Sequence, residues 1–263
     1  MTRGRRWRAV VLALAALYFL LPLVAMLEFG LRAPGGGYGP ANFLAVVRDP
    51  VLLSSLLTSL QIALVAAVLV IALVVPTAVW VRLRLPAVAG LLESATILPI
   101  VIPPVVMAAG IAFVQANLDG PLFRELFASS LTALTPFYVV LALPFAYRAV
   151  DNGLAAIPLR TLVEAARNLG ASMAGALLRV VLPAIRSAVL GAAFLTLALV
   201  LGEIVIARIL LYTDTFPVAI VEVGRSQAGV AVALSLAALV LTWVLLLAVS
   251  FAGGRRTGAE RTP

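Results

Sequence analysis

The chain has no histidine and no cysteine, so the commonest general base and metal ligand is missing, and thiolate chemistry with it. Any acid–base or ligand chemistry falls to carboxylates, and few of these lie inside apolar sequence. One that does is Glu203, in LALVLGEIVIARILL. A charged side chain at the centre of a bilayer costs about 2.5–3.5 kcal/mol on insertion scales, so Glu203 is expected to face a cavity or a partner. Arg208 lies about 140° further round a helix and is a poor same-helix partner for it. Gln61 sits at similar depth in another apolar run. Two readings stand for these residues: a polar clamp between helices, or the lining of a path that favours cations. No G-x-x-x-x-G-K-[ST] loop occurs, so nucleotide binding in that mode is excluded. Neither a hydrolytic site nor a metal site is expected, and no catalytic residue is assigned.

A second pattern is mechanical. In PLRTLVEAARNLGASMAGALLRVVLP (158–183), Leu159, Leu162, Val163, Ala166 and Leu169 recur at helical spacing and form one apolar face. Arg160, Thr161, Glu164, Arg167 and Asn168 occupy the other. Pro158 suits the first helical turn, and Gly170 falls where a helix needs a left-handed C-terminal residue. Ser172 can cap a second helix with the apolar face Met173, Ala176, Leu177, Val180 and Val181, which Pro183 breaks. Such a hairpin can rest on a membrane surface, with Glu164 paired to Arg160 or Arg167. Alternatively, its small tip at Ala165, Ala166, Gly170 and Ala171 can enter a groove on another protein.

The elements that carry these residues are membrane spans. The chain has 263 residues, 63% of them hydrophobic and 11% charged, with a mean hydropathy of +1.16; soluble domains carry about 25% charged residues. Uncharged runs long enough to cross a hydrocarbon core of about 30 Å occur at about 9–27, 51–81, 88–116, 128–147, 187–210 and 227–252. The expectation is an all-α membrane protein of six transmembrane helices forming a single transmembrane domain over 1–263. The first run is read as an uncleaved helix, being too long for a typical signal peptide.

Charge then orients the spans. Arg3, Arg5, Arg6, Arg8, Arg82, Arg84, Arg148, Arg160, Arg167, Arg179, Arg186, Arg255, Arg256 and Arg261 fall on one side. Arg32, Arg48, Arg124, Arg208 and Arg225 fall on the other, mostly beside Glu28, Asp49, Asp119, Glu125, Asp214 or Glu222. The positive-inside rule places both termini in the cytoplasm. The +8 net charge therefore reports topology, and nucleic acid is not an expected partner. Pro99, Pro103 and Pro104 predict a third span that is kinked or locally open. Between the first two spans, RAPGGGYGPANFLAVVRDP reads as a Gly/Pro turn and a short amphipathic interfacial helix.

The hairpin resembles the cytoplasmic loop of ATP-binding-cassette (ABC) importer permeases of the type I fold. Their pattern is E-A-A, three residues, G, nine residues, I-x-L-P. Glu164-Ala165-Ala166, Gly170 and Val180-Val181-Leu182-Pro183 match it at every fixed position except Val180 for Ile. The lead-in DNGLAAIP and the RNLGAS that follows are also similar. The resemblance implies a permease subunit of an ATP-driven importer in the bacterial inner membrane, itself no enzyme, whose segment 151–186 couples to the ATPase. Glu164, Ala165, Ala166, Leu169, Gly170 and Ala171 are then expected to contact the ATPase, and Pro183 to set the start of span five. Also implied are two ATPase copies that bind ATP and Mg, a second, related permease chain, and an extracytoplasmic solute-binding protein; no cofactor belongs to this chain. The stretch LVLGEIVIARILLYTDTFPVAIVEVGRSQAGVAVALS looks most like the spermidine/putrescine branch, which has relatives for ferric iron, thiamine, phosphonate, sulfate and molybdate. Glu203 and Gln61 are assigned to the substrate path. A polyamine, a cation that fits Glu203, is the solute expected, with those other solutes as alternatives, although Arg208 and Arg225 suit an anion. A secondary transporter is the rival class, but ion-coupling residues and a clear internal repeat are not evident in the sequence.

Overall fold

In the computed structural model the described residues are 2–33, 35–117 and 120–254, with side chains described for residues 7–248 of these. The side chains of Arg3, Arg5 and Arg6, together with Asp119, Arg255, Arg256 and Arg261, which enter the charge reading above, lie outside them. The described chain is helical, and no strand occurs in it; a single bridge pairs Arg32 with Tyr38. Five helices are long and apolar enough to cross a membrane, and a bent pair brings the total to six.

The chain divides by contacts into two units. The first comprises residues 1–54 and 219–241. Its α1 (Thr2–Leu31) continues past Pro22, then turns through Gly35, Gly36 and Gly37, all with positive φ, into α2 (Ala41–Arg48). The expected turn and short helix are present. Asn42 is buried, and its amide donates to Gly30 O (2.9 Å) and Arg32 O (2.8 Å), satisfying carbonyls that the end of α1 leaves unpaired. A Cβ at Gly229 would lie 2.5 Å from Asn42 Nδ2, so only glycine fits beside this cap.

The second unit, residues 55–218 and 242–263, holds most of the core. It contains most of α3 (Pro50–Arg84), then α4 (Ala89–Val101), α5 (Pro104–Asn117), α6 (Pro121–Leu126) and α7 (Ser130–Ala155). The third span is a broken one. α4 and α5 meet at 87° across Ile102 and Pro103. Ile102 is extended (φ −80°, ψ 120°), as a residue before proline prefers. α7 starts at a Ser129 cap that accepts from Thr132 N–H (3.3 Å). It runs eight residues past the apolar run that ends at 147, because the charged and polar residues Arg148, Asp151 and Asn152 end the run without ending the helix.

After α7 come α8 (Leu159–Asn168), α9 (Met173–Ala176), a π-helical stretch (Leu177–Val181) and α10 (Leu182–Ala184). α11 (Arg186–Gly202), α12 (Val205–Ile209), α13 (Phe216–Ser226) and α14 (Ala228–Gly254) complete the described chain. Two apolar clusters fill the second unit. One, around Ile62, Ala66, Tyr138, Val200 and Ile206, ties α3, α7, α11 and α12 together. The other, around Val74, Val150, Val163, Val181 and Ile185, ties the ends of α3 and α7 to α8 and the π-helical stretch. α7 and α11 cross closely at Gly153: a Cβ there would overlap Ala188 Cβ and lie 3.5 Å from Ile185 Cβ. Small residues at such crossings are what close helix packing in a membrane requires.

Candidate functional site

The 158–183 hairpin is built by local sequence. Pro158 stands at the N-cap of α8 and its carbonyl accepts from Leu162 N–H (3.1 Å). Leu159, Val163 and Ala166 turn into the core cluster, as their spacing requires. Gly170 adopts φ +86°. Ala171 N–H donates to Ala166 O (3.0 Å) and Gly170 N–H to Arg167 O (2.9 Å); this is a Schellman C-cap. Ser172 then caps α9 by accepting from Gly175 N–H (3.1 Å). Ahead of Pro183 the helix widens, and Leu182 N–H donates to Leu177 O, five residues back. The wider turn relieves the clash a proline ring makes with the carbonyl four residues earlier. α11 starts at Arg186, three residues after Pro183.

The segment's site residues divide by exposure. Glu164, Ala165 and Gly170 are exposed, Leu169 is 89% exposed, and Pro183 is exposed at the hairpin's far end. Ala166 is 8% exposed and belongs to the core, while Ala171 is half-buried against it. Leu169 therefore leaves the apolar face on which its spacing placed it, because the left-handed turn at Gly170 lifts the end of α8 off the core. Among the described residues Glu164 forms no ion pair with Arg160 or Arg167.

Sequence reasoning missed the base of the hairpin. Arg82, at the end of α3, donates through Nε to Asp151 Oδ1 (2.6 Å) and through Nη2 to Asp151 O (3.0 Å) on α7, both side chains half-buried. Arg148 and Glu93 approach to 3.8 Å nearby. These residues stand far apart in sequence, and only the charges at the ends of two apolar runs hinted at the pairing.

Glu203 stands where span five breaks. It ends α11 with extended backbone (φ −83°, ψ 123°). Its carboxylate accepts from Val205 N–H (2.7 Å) and Ile206 N–H (3.2 Å), capping α12, and Tyr138 on α7 donates its hydroxyl to Oε2 (3.0 Å). This is a clamp between helices; Tyr138 carried no signal in the sequence that could have identified it. Beyond α12, Leu211 takes a left-handed turn (φ 64°), Tyr212 donates to Phe127 O (2.9 Å), Ser130 donates to Asp214 Oδ2 (2.7 Å), and Phe216 N–H donates to Ser59 Oγ (2.8 Å). Burial, and secondarily the Asp214 charge, hold the Tyr212 phenol above its ordinary range. Gln61 is not part of the Glu203 clamp. It is exposed on α3 in a stripe with Leu57, Leu64 and Val68, and it has no hydrogen-bond partner among the described residues. No group of three or more acidic residues that could hold a metal ion occurs among the described residues.

Two comparisons bear on this architecture. The family model described as the binding-protein-dependent transport system inner membrane component matches residues 74–254, from within α3 to the end of α14. A probable molybdenum ABC transporter permease protein of Haloferax volcanii is 31% identical over 227 residues, covering 81% of this chain and 78% of the relative. With the broken third span, the spans around it and the hairpin between α7 and α11, these matches show that the chain belongs to the binding-protein-dependent transport system inner membrane components and is a permease subunit of an ABC importer.

Proposed function

We propose that this permease forms half of the path for an oxyanion of the molybdate kind, delivered by an extracytoplasmic binding protein. It works with a second permease chain and two ATPase subunits that engage the 158–183 hairpin on the cytoplasmic side, and both termini lie on that side. The observation that carries the coupling role is the division within the hairpin. One face is locked in the core through Val163, Ala166 and Val181, while Glu164, Ala165, Leu169 and Gly170 stand bare. A rigid element with a bare tip of small residues transmits a push to whatever seats on that tip. Ala166 serves this role by packing under the tip.

The oxyanion is supported by the likeness to the Haloferax relative, a probable molybdenum permease, and by the state of Glu203. A polyamine needs an open carboxylate, and the Glu203 carboxylate is already engaged by Tyr138 and two backbone N–H groups. The test is ATPase activity of the complex, assembled with its genomic neighbours in nanodiscs, in the presence of the loaded binding protein. Stimulation by molybdate or tungstate and not by spermidine is the expected result. Stimulation by spermidine alone overturns the cargo. Gly170→Asp and Glu164→Lys are each expected to lower solute-stimulated ATPase at least tenfold or to release the ATPase; wild-type behaviour of both overturns the coupling role.

A further inference from the structure

Beside the bare tip of α8 lies a second feature, on a flank that the coupling residue Glu164 shares. Arg160, Glu164 and Arg167 follow one another at i, i+4 and i+7 and so share one flank of α8. That flank faces Arg84 at the end of α3 across a cavity of about 320 Å³, walled also by Leu83, Val163 and Met173. Arg84, Arg160 and Arg167 form no hydrogen bond or ion pair among the described residues, and neither does Glu164. Three guanidiniums and one carboxylate leave two net positive charges converging on one space.

The depth of the cavity indicates what fills it. Trp80, one turn before Arg84, is exposed, and an exposed tryptophan near the end of a span marks the level of the lipid headgroups. Arg84 then stands at or just beyond the phosphate layer. Leu83, Val163 and Met173 give the cavity an apolar border of its own, and Leu85, which follows Arg84, is exposed. A partner's carboxylate would need neither the volume nor this apolar border, whereas a glycerophosphate with acyl chains uses both. Basic pockets at span ends are known to hold the head groups of acidic lipids.

We infer that this cavity binds the phosphate of an anionic phospholipid, held between Arg84 on α3 and Arg160 and Arg167 on α8. Lipid bound there joins the end of a span to the coupling hairpin, so the bilayer's acidic lipid content sets how firmly α8 is seated.

The test places the full chain in phosphatidylcholine nanodiscs with trace spin-labelled phosphatidylglycerol or phosphatidylcholine, and measures the ratio of their association constants. Wild type is expected to prefer phosphatidylglycerol. Each arginine near the lipid surface contributes about fivefold to such a preference, so Arg84→Gln with Arg160→Gln and Arg167→Gln should bring the ratio close to one. Lysine at the same three positions keeps the charge and most of the preference, which separates lost binding from a lost fold. An unchanged ratio in the glutamine variant overturns the inference. So does displacement of the labelled lipid by inorganic phosphate at millimolar concentration, which makes this a soluble-anion site. If the glutamine variant instead keeps its lipid preference in the assembled importer but releases the ATPase, the cavity takes a partner's acid and the inference fails, while the coupling reading survives.

Discussion

At the scale of single residues the strongest constraints are conformational. Gly170 holds φ +86° with open space where a Cβ would stand, so a substitution there meets strain but no clash. Alanine is expected to cost about 1–2 kcal/mol, the usual penalty for a left-handed residue with a Cβ, and asparagine less. Thermal unfolding in detergent reads this difference. Coupling should follow a different order: Gly170→Asp abolishes stimulated ATPase through its charge at the tip, whereas Gly170→Asn, nearly isosteric, keeps most of it. If both lose activity in proportion to stability, Gly170 is only a C-cap. Tyr138→Phe removes one donor from the Glu203 carboxylate, and a hydrogen bond to a charged group contributes about 1.5–3 kcal/mol. The phenylalanine variant is expected to unfold earlier, while Glu203→Gln, which keeps a carbonyl acceptor for the α12 cap, loses less. At this scale the sequence was legible where local rules apply. Ser172 and Gly170 were readable as caps because each acts on residues beside it in the chain. Tyr138 and Asp151 were not, because their partners, Glu203 and Arg82, lie 65 and 69 residues away in sequence.

At the scale of elements, apolar run length pointed to the long helices but not to where each helix ends. α7 extends to Ala155 because Asp151 is held by Arg82, so a charge that seemed to close the span lies inside the helix. The breaks divide in the same way. Pro103 announced the 87° bend between α4 and α5, since proline acts locally. The break at Glu203 had no proline or glycine pair to announce it, and it persists because the side chain replaces the lost backbone bonds. One crossing is decisive for the hairpin's footing. At Gly153, α7 passes so near α11 that a methyl group would overlap Ala188 Cβ. Gly153→Ala is expected to force the two helices apart, at a cost of about 1–3 kcal/mol as in other overpacked sites. Ala188→Gly in the same chain should recover most of that loss. Measuring stability and coupled ATPase in the single and double variants tests this: failure of the second change to rescue the first places the damage elsewhere.

At the scale of the whole molecule, the chain leaves too much apolar surface bare to be explained by its own packing. The apolar stretch of α1 is bare along its length. On α3, Leu57, Gln61, Leu64 and Val68 form an exposed seam at i, i+4, i+7 and i+11, a spacing that keeps one face of a helix toward one neighbour. A glutamine in such a seam is costly against hydrocarbon, where its amide finds no partner, and costs little against a second permease chain or a water-filled path. The seam is therefore expected to face the partner permease or the path between the two chains. The absence of cysteine makes this directly testable, because any introduced thiol is the only one in the chain. With Gln61→Cys in this chain and single cysteines introduced along the facing helix of its permease partner, oxidation or a short bifunctional maleimide is expected to link the two chains in the assembled importer. A nitroxide at the same site should be less accessible to oxygen than one at Trp80→Cys. If no cross-link forms and the nitroxide at 61 is as oxygen-accessible as one facing lipid, the seam lies against the bilayer. Gln61 would then leave the substrate path, and the helices lining it would have to be sought on other faces.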